Sequence, residues 1–287
     1  MRTFGMPYMG SKSQIAEWII GKLPPADIFV EPFAGGCAIT HAAILSGKYK
    51  RIIASDITDS ALVFKNAIAG KFCNEKRWIS REDFFRLKDG DPYVRLCYSF
   101  GNNQKGYCYG RDIEEYKRAY HFAVIFQDPM PFKKFGINIP VLAISCKSQI
   151  ERYLHVKSYL SQLQNKVNNN IQLEHLVRLF RLQSLQSLPL YINIETSIRD
   201  YSEIIIPKNS IVYCDPPYRG TADYLNSFDF RAFDLWCMAC SQPIFISEYS
   251  MPKDKFERIA AMNKRSLFSG AGSGKLKIES IFIPKGN

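Results

Sequence analysis

The stretch Ile211-Val212-Tyr213-Cys214-Asp215-Pro216-Pro217-Tyr218 constrains this chain more than any other. A short apolar run of this kind reads as a strand buried on both faces, here ending in a carboxylate, two prolines and a ring. Ligands of open parallel sheets lie at the carboxyl ends of strands, so the position belongs to a site rather than to packing. The prolines stiffen the backbone and remove two N–H donors while keeping their carbonyls. Asp215 and the Pro216 carbonyl therefore form a pair of acceptors beside the Tyr218 ring. That set suits an exocyclic amine on a planar base, taking its two hydrogens and favouring a pyramidal, nucleophilic nitrogen. It requires Asp215 to face an open cavity and not to be pinned by a basic side chain so that no base could enter. A surface turn is the competing reading, since Asp and Pro favour turns.

Three earlier stretches fit the same chemistry. Tyr8-Met9-Gly10-Ser11-Lys12-Ser13 precedes a predicted helix over 14–22, with Ile15, Trp18 and Ile19 on one face and Ser11 or Ser13 as its cap. A cation at a helix start opposes the dipole, so Lys12 is expected to meet an anionic group or carboxylate. A strand over 27–30 leads into Glu31-Pro32-Phe33-Ala34-Gly35-Gly36 and a helix over 39–46. Strand, glycine turn and helix open a nucleotide-binding α/β fold, where Phe33 and Gly35 would lie against the ligand. A second strand over 51–55 ends on Asp56, about 20 positions after the glycine turn, where an acid accepts both hydroxyls of a ribose. A helix is predicted over 59–69. Together these pieces point to a cofactor containing adenosine. Asp200 could accept from that cofactor's adenine amine or, equally well, cap a helix.

From 71 to 190 the strand–helix alternation stops. The formal net charge is +11, and residues 71–192 hold 19 basic against 11 acidic side chains. A basic excess of that kind suggests a polyanionic partner, nucleic acid before membrane. Helices are predicted over 114–122, 147–166 and 172–185, broken at Asn168-Asn169-Asn170. Ile150, Leu154, Tyr159, Leu160 and Leu163 are expected to pack a small helical subdomain. The loop over 99–111 carries Asn102, Asn103, Lys105, Tyr107, Tyr109 and Arg111, all able to contact DNA. Lys133 and Lys134 repeat the basic–aromatic theme between two phenylalanines.

After this insertion the alternation returns, with strands predicted over 191–193 and 243–247 and a helix over 230–240. Two β-like runs, 265–268 and 277–283, flank the glycine-rich 270–274 and would add a final antiparallel strand. The eight cysteines are scattered, which suits a reduced, intracellular chain. Cys237 and Cys240 lack a second pair or a nearby His, so they read as packing and no metal is expected. No secretory leader is expected from the opening residues, and no apolar run reaches membrane-spanning length.

The motifs at both ends, in this order, resemble those of the Dam-type DNA adenine-N6 methyltransferases, the D12 class. The resemblance implies an α/β fold, with a Rossmann-like catalytic domain formed by 1–70 and 191–287 and a mainly helical DNA target-recognition domain at 71–190. It implies methyl transfer from S-adenosyl-L-methionine to a flipped adenine at specific sites in double-stranded DNA. Tyr8, Lys12, Asp56 and Asp215 would bind the cofactor, and Asp215, Pro216, Pro217 and Tyr218 the target adenine. The segment 265–279 is similar to the family's closing motif. Tyr8 stands where the family often has Trp, a change that preserves stacking. The middle region carries no transferable recognition residues. The setting implied is the cytoplasm of a bacterial or phage-infected cell. The oligomeric state, a monomer included, stays open, as does a partner restriction nuclease. Two alternatives also stay open: a cytosine-N4 methyltransferase, which would often have Ser in place of Asp215, and a DNA-binding protein with a vestigial pocket.

Overall fold

The computed structural model describes residues 3–163, 172–189, 192–220, 228–265 and 276–286. The chain runs α1 (Ala16–Lys22), β1 (Ile28–Glu31), α2 (Ala38–Ser46), β2 (Arg51–Asp56) and α3 (Ser60–Ile68). The helices α4 (Arg81–Leu87), α5 (Pro92–Cys97), α6 (Glu114–Ile125), α7 (Val141–Ile144), α8 (Gln149–Leu163) and α9 (Glu174–Ser184) follow. It closes with β3 (Asn193–Ile198), β4 (Ser210–Cys214), α10 (Phe230–Ala239), β5 (Ile244–Glu248), β6 (Phe256–Arg265) and β7 (Leu276–Pro284). Two compact units result: Met1–Gly5, Gly10–Lys65 and Ser187–Asn287 form the first, and Met6–Met9 with Asn66–Gln186 the second.

The first unit holds a seven-stranded sheet in the order β3-β2-β1-β4-β5-β7-β6. The strands from β3 to β5 are parallel, and β7 lies antiparallel between β5 and β6. Such an order is Rossmann-like, with the reversal of winding between β1 and β4, the position at which open α/β sheets bind ligands. β4 is buried along its whole length, as its apolar run requires. On one side Val30, Val212, Cys214, Ile244 and Ile246 pack with Phe233 and Cys237 of α10. Burying a side chain of this size contributes about 1.5–3 kcal/mol, so this layer fixes where β4 ends.

The hairpin departs from expectation. Its first strand is Phe256–Arg265, ahead of the predicted 265–268, and 266–275 lie outside the described residues. β6 is an edge strand with Ile259 exposed, and its mixed charges leave no clean apolar alternation to read. β3 likewise runs Asn193–Ile198, sharing only Asn193 with the predicted 191–193 span, because an edge strand with this polar, half-buried sequence shows no apolar run. At the start of α1 neither expected serine is the cap. Ile15 takes the N-cap position without a side-chain bond, while Ser13 Oγ accepts from the Phe4 N–H at 2.8 Å.

The second unit packs around aromatic and imidazole rings. Trp78 stacks on Tyr109 with centroids 5.9 Å apart and meets His121 and His175 edge-on. α8 turns a different face inward from the predicted one. Arg152, Tyr153, Val156 and Leu160 are buried, whereas Ile150, Leu154 and Leu163 are exposed. Arg152 explains the rotation: its guanidinium donates to the carbonyls of Val124 at 2.6 Å and Lys147 at 2.9 Å, closing the bend before α8. The predicted break at 168–170 lies outside the described residues.

Candidate active site

Four neighbouring strands of the first unit deliver an acid at or just past their carboxyl ends. Asp56 ends β2, Glu31 ends β1, Asp215 follows β4 and Glu248 ends β5. The strands are adjacent and parallel, so these acids line one edge of the sheet on both sides of the switch point.

The glycine turn after β1 is held from two directions. The Gly35 N–H donates to Asp56 Oδ2 at 2.8 Å, and Gly35 takes a positive φ of 45°. Gly5 crosses behind the turn at φ 69°, so close that an added Cβ would lie 2.4 Å from the Gly36 carbonyl oxygen. Asp56 Oδ1 also accepts from the Thr58 N–H at 2.9 Å and the Thr58 hydroxyl at 2.8 Å. A carboxylate offers about four acceptor sites. The expected pairing of Asp56 with both ribose hydroxyls therefore requires one internal bond to yield. Phe33 stacks on Tyr201 with centroids 5.2 Å apart and meets Phe233 edge-on. Asp200 takes the capping alternative: Oδ1 accepts from the Ser202 N–H at 3.0 Å and from its hydroxyl. Tyr8 belongs to the second unit.

A basic side chain does meet Asp215, without closing it off. Lys12 Nζ lies 2.9 Å from Asp215 Oδ1, so the anionic partner of Lys12 is the DPPY acid itself. Lys12 is buried, and its Nζ also lies 3.9 Å from Glu279 Oε1 of β7. Burial works against its charge, but Asp215 and then Glu279 outweigh it and hold the ammonium above the ordinary lysine pKa. The pin is partial. The Asp215 side chain keeps 19% of its exposure, and among the described residues nothing donates to Oδ2 or to the Pro216 carbonyl. Both acceptors the chemistry needs remain available.

Tyr218 is likewise not the open ring expected. It is buried, its hydroxyl donates to Glu279, and Lys12 Nζ sits 4.3 Å from its ring centroid. Burial, with Asp215 and Glu279 nearby, keeps that phenol protonated and able to donate. Tyr249 meets the ring edge-on at 4.5 Å. Pro217 is half-buried beside it. Glu248 secures the chain beyond: Oε2 accepts from the Arg219 N–H at 2.9 Å and Oε1 from the Tyr249 N–H at 2.7 Å. Burial raises Glu248 to about 7 and Glu31 to about 8, with Asp215 adding to both. The Thr40 hydroxyl donates to Glu31.

Sequence reasoning misses Glu248, Tyr249 and the role of Glu279. An acid ending the strand next to β4 is a signal that could have flagged Glu248. Glu279 reaches the site only because β7 lies against β5, which no local pattern discloses.

Of the expected DNA contacts in the second unit, two are core residues. Tyr109 is buried with its hydroxyl 2.7 Å from His175 Nδ1, and Tyr107 is buried with its hydroxyl donating to the Ile79 carbonyl at 2.8 Å. Ser99 and Tyr107 form an antiparallel bridge that turns both rings inward. Asn103 Oδ1 accepts from the Lys105 N–H at 2.8 Å and the Gly106 N–H at 3.0 Å, so it builds the turn. Asn102 has a φ of 60°, with Oδ1 buried. Lys105, Arg111, Lys133 and Lys134 are exposed, and Lys134 pairs with Glu115. No helix among the described residues is long and apolar enough to cross a membrane.

Among solved structures, the rRNA methyltransferase aviRa from Streptomyces viridochromogenes matches over 96% of this chain and 86% of its own, at 11% identity and a TM-score of 0.37. No curated protein matches. A family model described as D12 class N6 adenine-specific DNA methyltransferase matches residues 8–236, which include the glycine turn, Asp56 and the DPPY motif. The family is adenine-specific, which sets aside the cytosine-N4 and non-enzymatic alternatives. The chain belongs to the D12 class N6 adenine-specific DNA methyltransferases, and its reaction is methylation of adenine N6 in DNA.

Proposed function

We propose that the acid-lined edge of the sheet holds S-adenosyl-L-methionine and that Asp215 Oδ2 and the Pro216 carbonyl receive the target amine. One observation carries this reading: two acceptors without donors among the described residues, at the end of a fully buried strand beside the switch point. The fit to the cofactor rests on charge. Even with Glu31 held protonated by burial, the acids at this edge and Glu279 outnumber the one buried ammonium, a balance that favours a cationic ligand such as a sulfonium. The cofactor, when bound, supplies an electrophilic methyl group.

In this reading Gly35 and Phe33 border the cofactor, and Asp56 gives one ribose contact. The adenine leaves the duplex, at a cost of a few kcal/mol in lost stacking and pairing. Asp215 and Pro216 draw both amine hydrogens into one plane of acceptors and orient the nitrogen lone pair. Once its new N–C bond forms, the nitrogen carries a surplus proton, which Asp215 passes to water. Pro217 fixes the backbone, and Tyr218 serves as a wall behind Lys12. The exposed cations of the second unit, Lys105, Arg111 and Lys133, supply DNA phosphate contacts with Asn102, Asn103 and Lys134 nearby. The enzyme then acts on duplex DNA, in the cytoplasm of a bacterial or phage-infected cell.

Expression in a host without adenine methylation, followed by mapping of modified positions, tests this reading. N6-methyladenine confined to one short word supports it. Unmodified adenine in the presence of folded protein would contradict it.

A further inference from the structure

We propose that Lys12 is a switched counter-ion, resting on Asp215 in the free protein and moving to Glu279 when Asp215 takes the target amine. Glu279 is then a positioning residue. This inference rests on the assignment of Asp215 as amine acceptor and adds the step that frees it.

Three observations carry it. Lys12 is buried, so its ammonium cannot turn to water and must keep a carboxylate partner at all times. It has two within reach, Asp215 Oδ1 at 2.9 Å and Glu279 Oε1 at 3.9 Å. These two acids differ in access: the Asp215 side chain keeps 19% of its exposure and that of Glu279 1%, so a ligand reaches only the first. While the ammonium rests on Asp215 it drains the charge that would accept the amine hydrogens. Moving towards Glu279 by about the 1 Å difference between the two separations would return that charge without stranding the cation.

The surroundings suit such a move. Nζ lies over the Tyr218 ring, whose π face attracts a cation along its surface. The Tyr218 hydroxyl donates to Glu279 and braces the receiving carboxylate. The two acids arrive on different strands, Asp215 after β4 and Glu279 on β7, so both are held by the sheet while the long lysine arm moves. The arrangement also explains why a ring immediately after the two prolines is buried. It guides the ammonium as well as bordering the base site.

Two measurements test the proposal. The first is a crystal structure of the wild-type enzyme with S-adenosylhomocysteine and an adenine-containing duplex that it methylates. Lys12 Nζ should then be closer to Glu279 than to Asp215; an unchanged Lys12–Asp215 pair would overturn the switch. The second compares Glu279→Gln and Glu279→Asp by pH-dependent kinetics and by NMR titration of the Lys12 ammonium without ligands. Gln leaves the cation fixed on Asp215, so kcat near neutrality should fall about 100-fold, with a much smaller change in KM.

With one acid fewer beside it, Lys12 in Glu279→Gln should lose its proton at lower pH than in the wild type. The kcat of Glu279→Gln should consequently climb with pH as the unprotonated amine releases Asp215. Glu279→Asp keeps the charge and should show no such climb. Wild-type kcat in Glu279→Gln, a loss equal at every pH, an alkaline rise in both variants or an unshifted Lys12 titration would each overturn the proposal. Absence of adenine methylation by the wild type would instead overturn the function assignment, and this inference with it.

Discussion

Asp56 Oδ2 accepts the Gly35 N–H at 2.8 Å, so the acid ending β2 also shapes the turn that follows β1. Its other oxygen accepts two bonds from Thr58, which makes Asp56 a brace before it is a ligand. Asp56→Ala should therefore weaken cofactor binding at least about tenfold in calorimetry, since each lost hydrogen bond to a charged group is worth about 1.5–3 kcal/mol. Asp56→Asn keeps an acceptor for Gly35 and should lie between. Equal affinity in all three proteins would remove Asp56 from the cofactor site.

Glu31 gives a pH prediction with a definite sign. Its folded pKa, about 8, stands above the ordinary 4.5 because the side chain is buried. Between pH 4.5 and 8 the unfolded chain has released a proton that the folded one retains, so stability falls as pH rises through that window. The slope is about 1.4 kcal/mol per pH unit. Glu31→Gln keeps an acceptor for Thr40 and removes the titration. Its denaturant midpoint should exceed the wild type's at pH 8 and converge with it at pH 5.

The second unit should respond in the opposite direction. His121 Nδ1 lies 2.9 Å from His175 Nε2, and His121 Nε2 lies 3.0 Å from the Lys76 carbonyl oxygen. One proton order satisfies the chain: Tyr109 donates to His175, His175 to His121, and His121 to the carbonyl. Burial lowers His121 to about 4, and burial with His121 and nearby cations lowers His175 well below 6.5. Both imidazoles are neutral in the fold, so stability should be full above pH 6.5 and fall as pH drops from 6.5 to 4. Unfolding followed by Trp78 fluorescence should show that loss. It should be shallower in His121→Asn, and a wild-type profile flat over this range would refute the proton order.

Much of the first unit is legible in the sequence because β1, β2, β4 and β5 are largely apolar runs that end on or just before an acid. β4 and its acceptors follow from eight consecutive residues. Lys12 and Asp215, two hundred positions apart, could each be flagged locally, but their pairing depends on tertiary packing. The same holds for Glu279, which β7 carries in against the direction of β5. In the second unit, aromatic residues near basic ones suggested a DNA surface. Tyr107 and Tyr109 instead face the core, because one bridge at Ser99 decides which side of the loop is buried.

That correction divides the mutations cleanly. Lys105→Ala, Arg111→Ala and Lys133→Ala should each weaken DNA binding and reduce its log–log salt slope by about 0.9 for every phosphate no longer neutralised. Tyr109→Phe should instead cost about 1–3 kcal/mol of stability by leaving His175 without a donor, with the salt slope unchanged. Filter binding across a salt series separates the two classes.

The central claim is that the acceptor pair beside β4 handles an adenine amine. It is tested most directly by nucleoside mass spectrometry of unmethylated DNA incubated with S-adenosylmethionine and either wild-type protein or Asp215→Ala. We predict N6-methyladenine as the sole new nucleoside with the wild type, and a rate lower by about 1,000-fold or more with folded Asp215→Ala, in line with losses on removing a group that stabilises developing charge. Appearance of N4-methylcytosine, or adenine methylation undiminished by the substitution, would contradict the account.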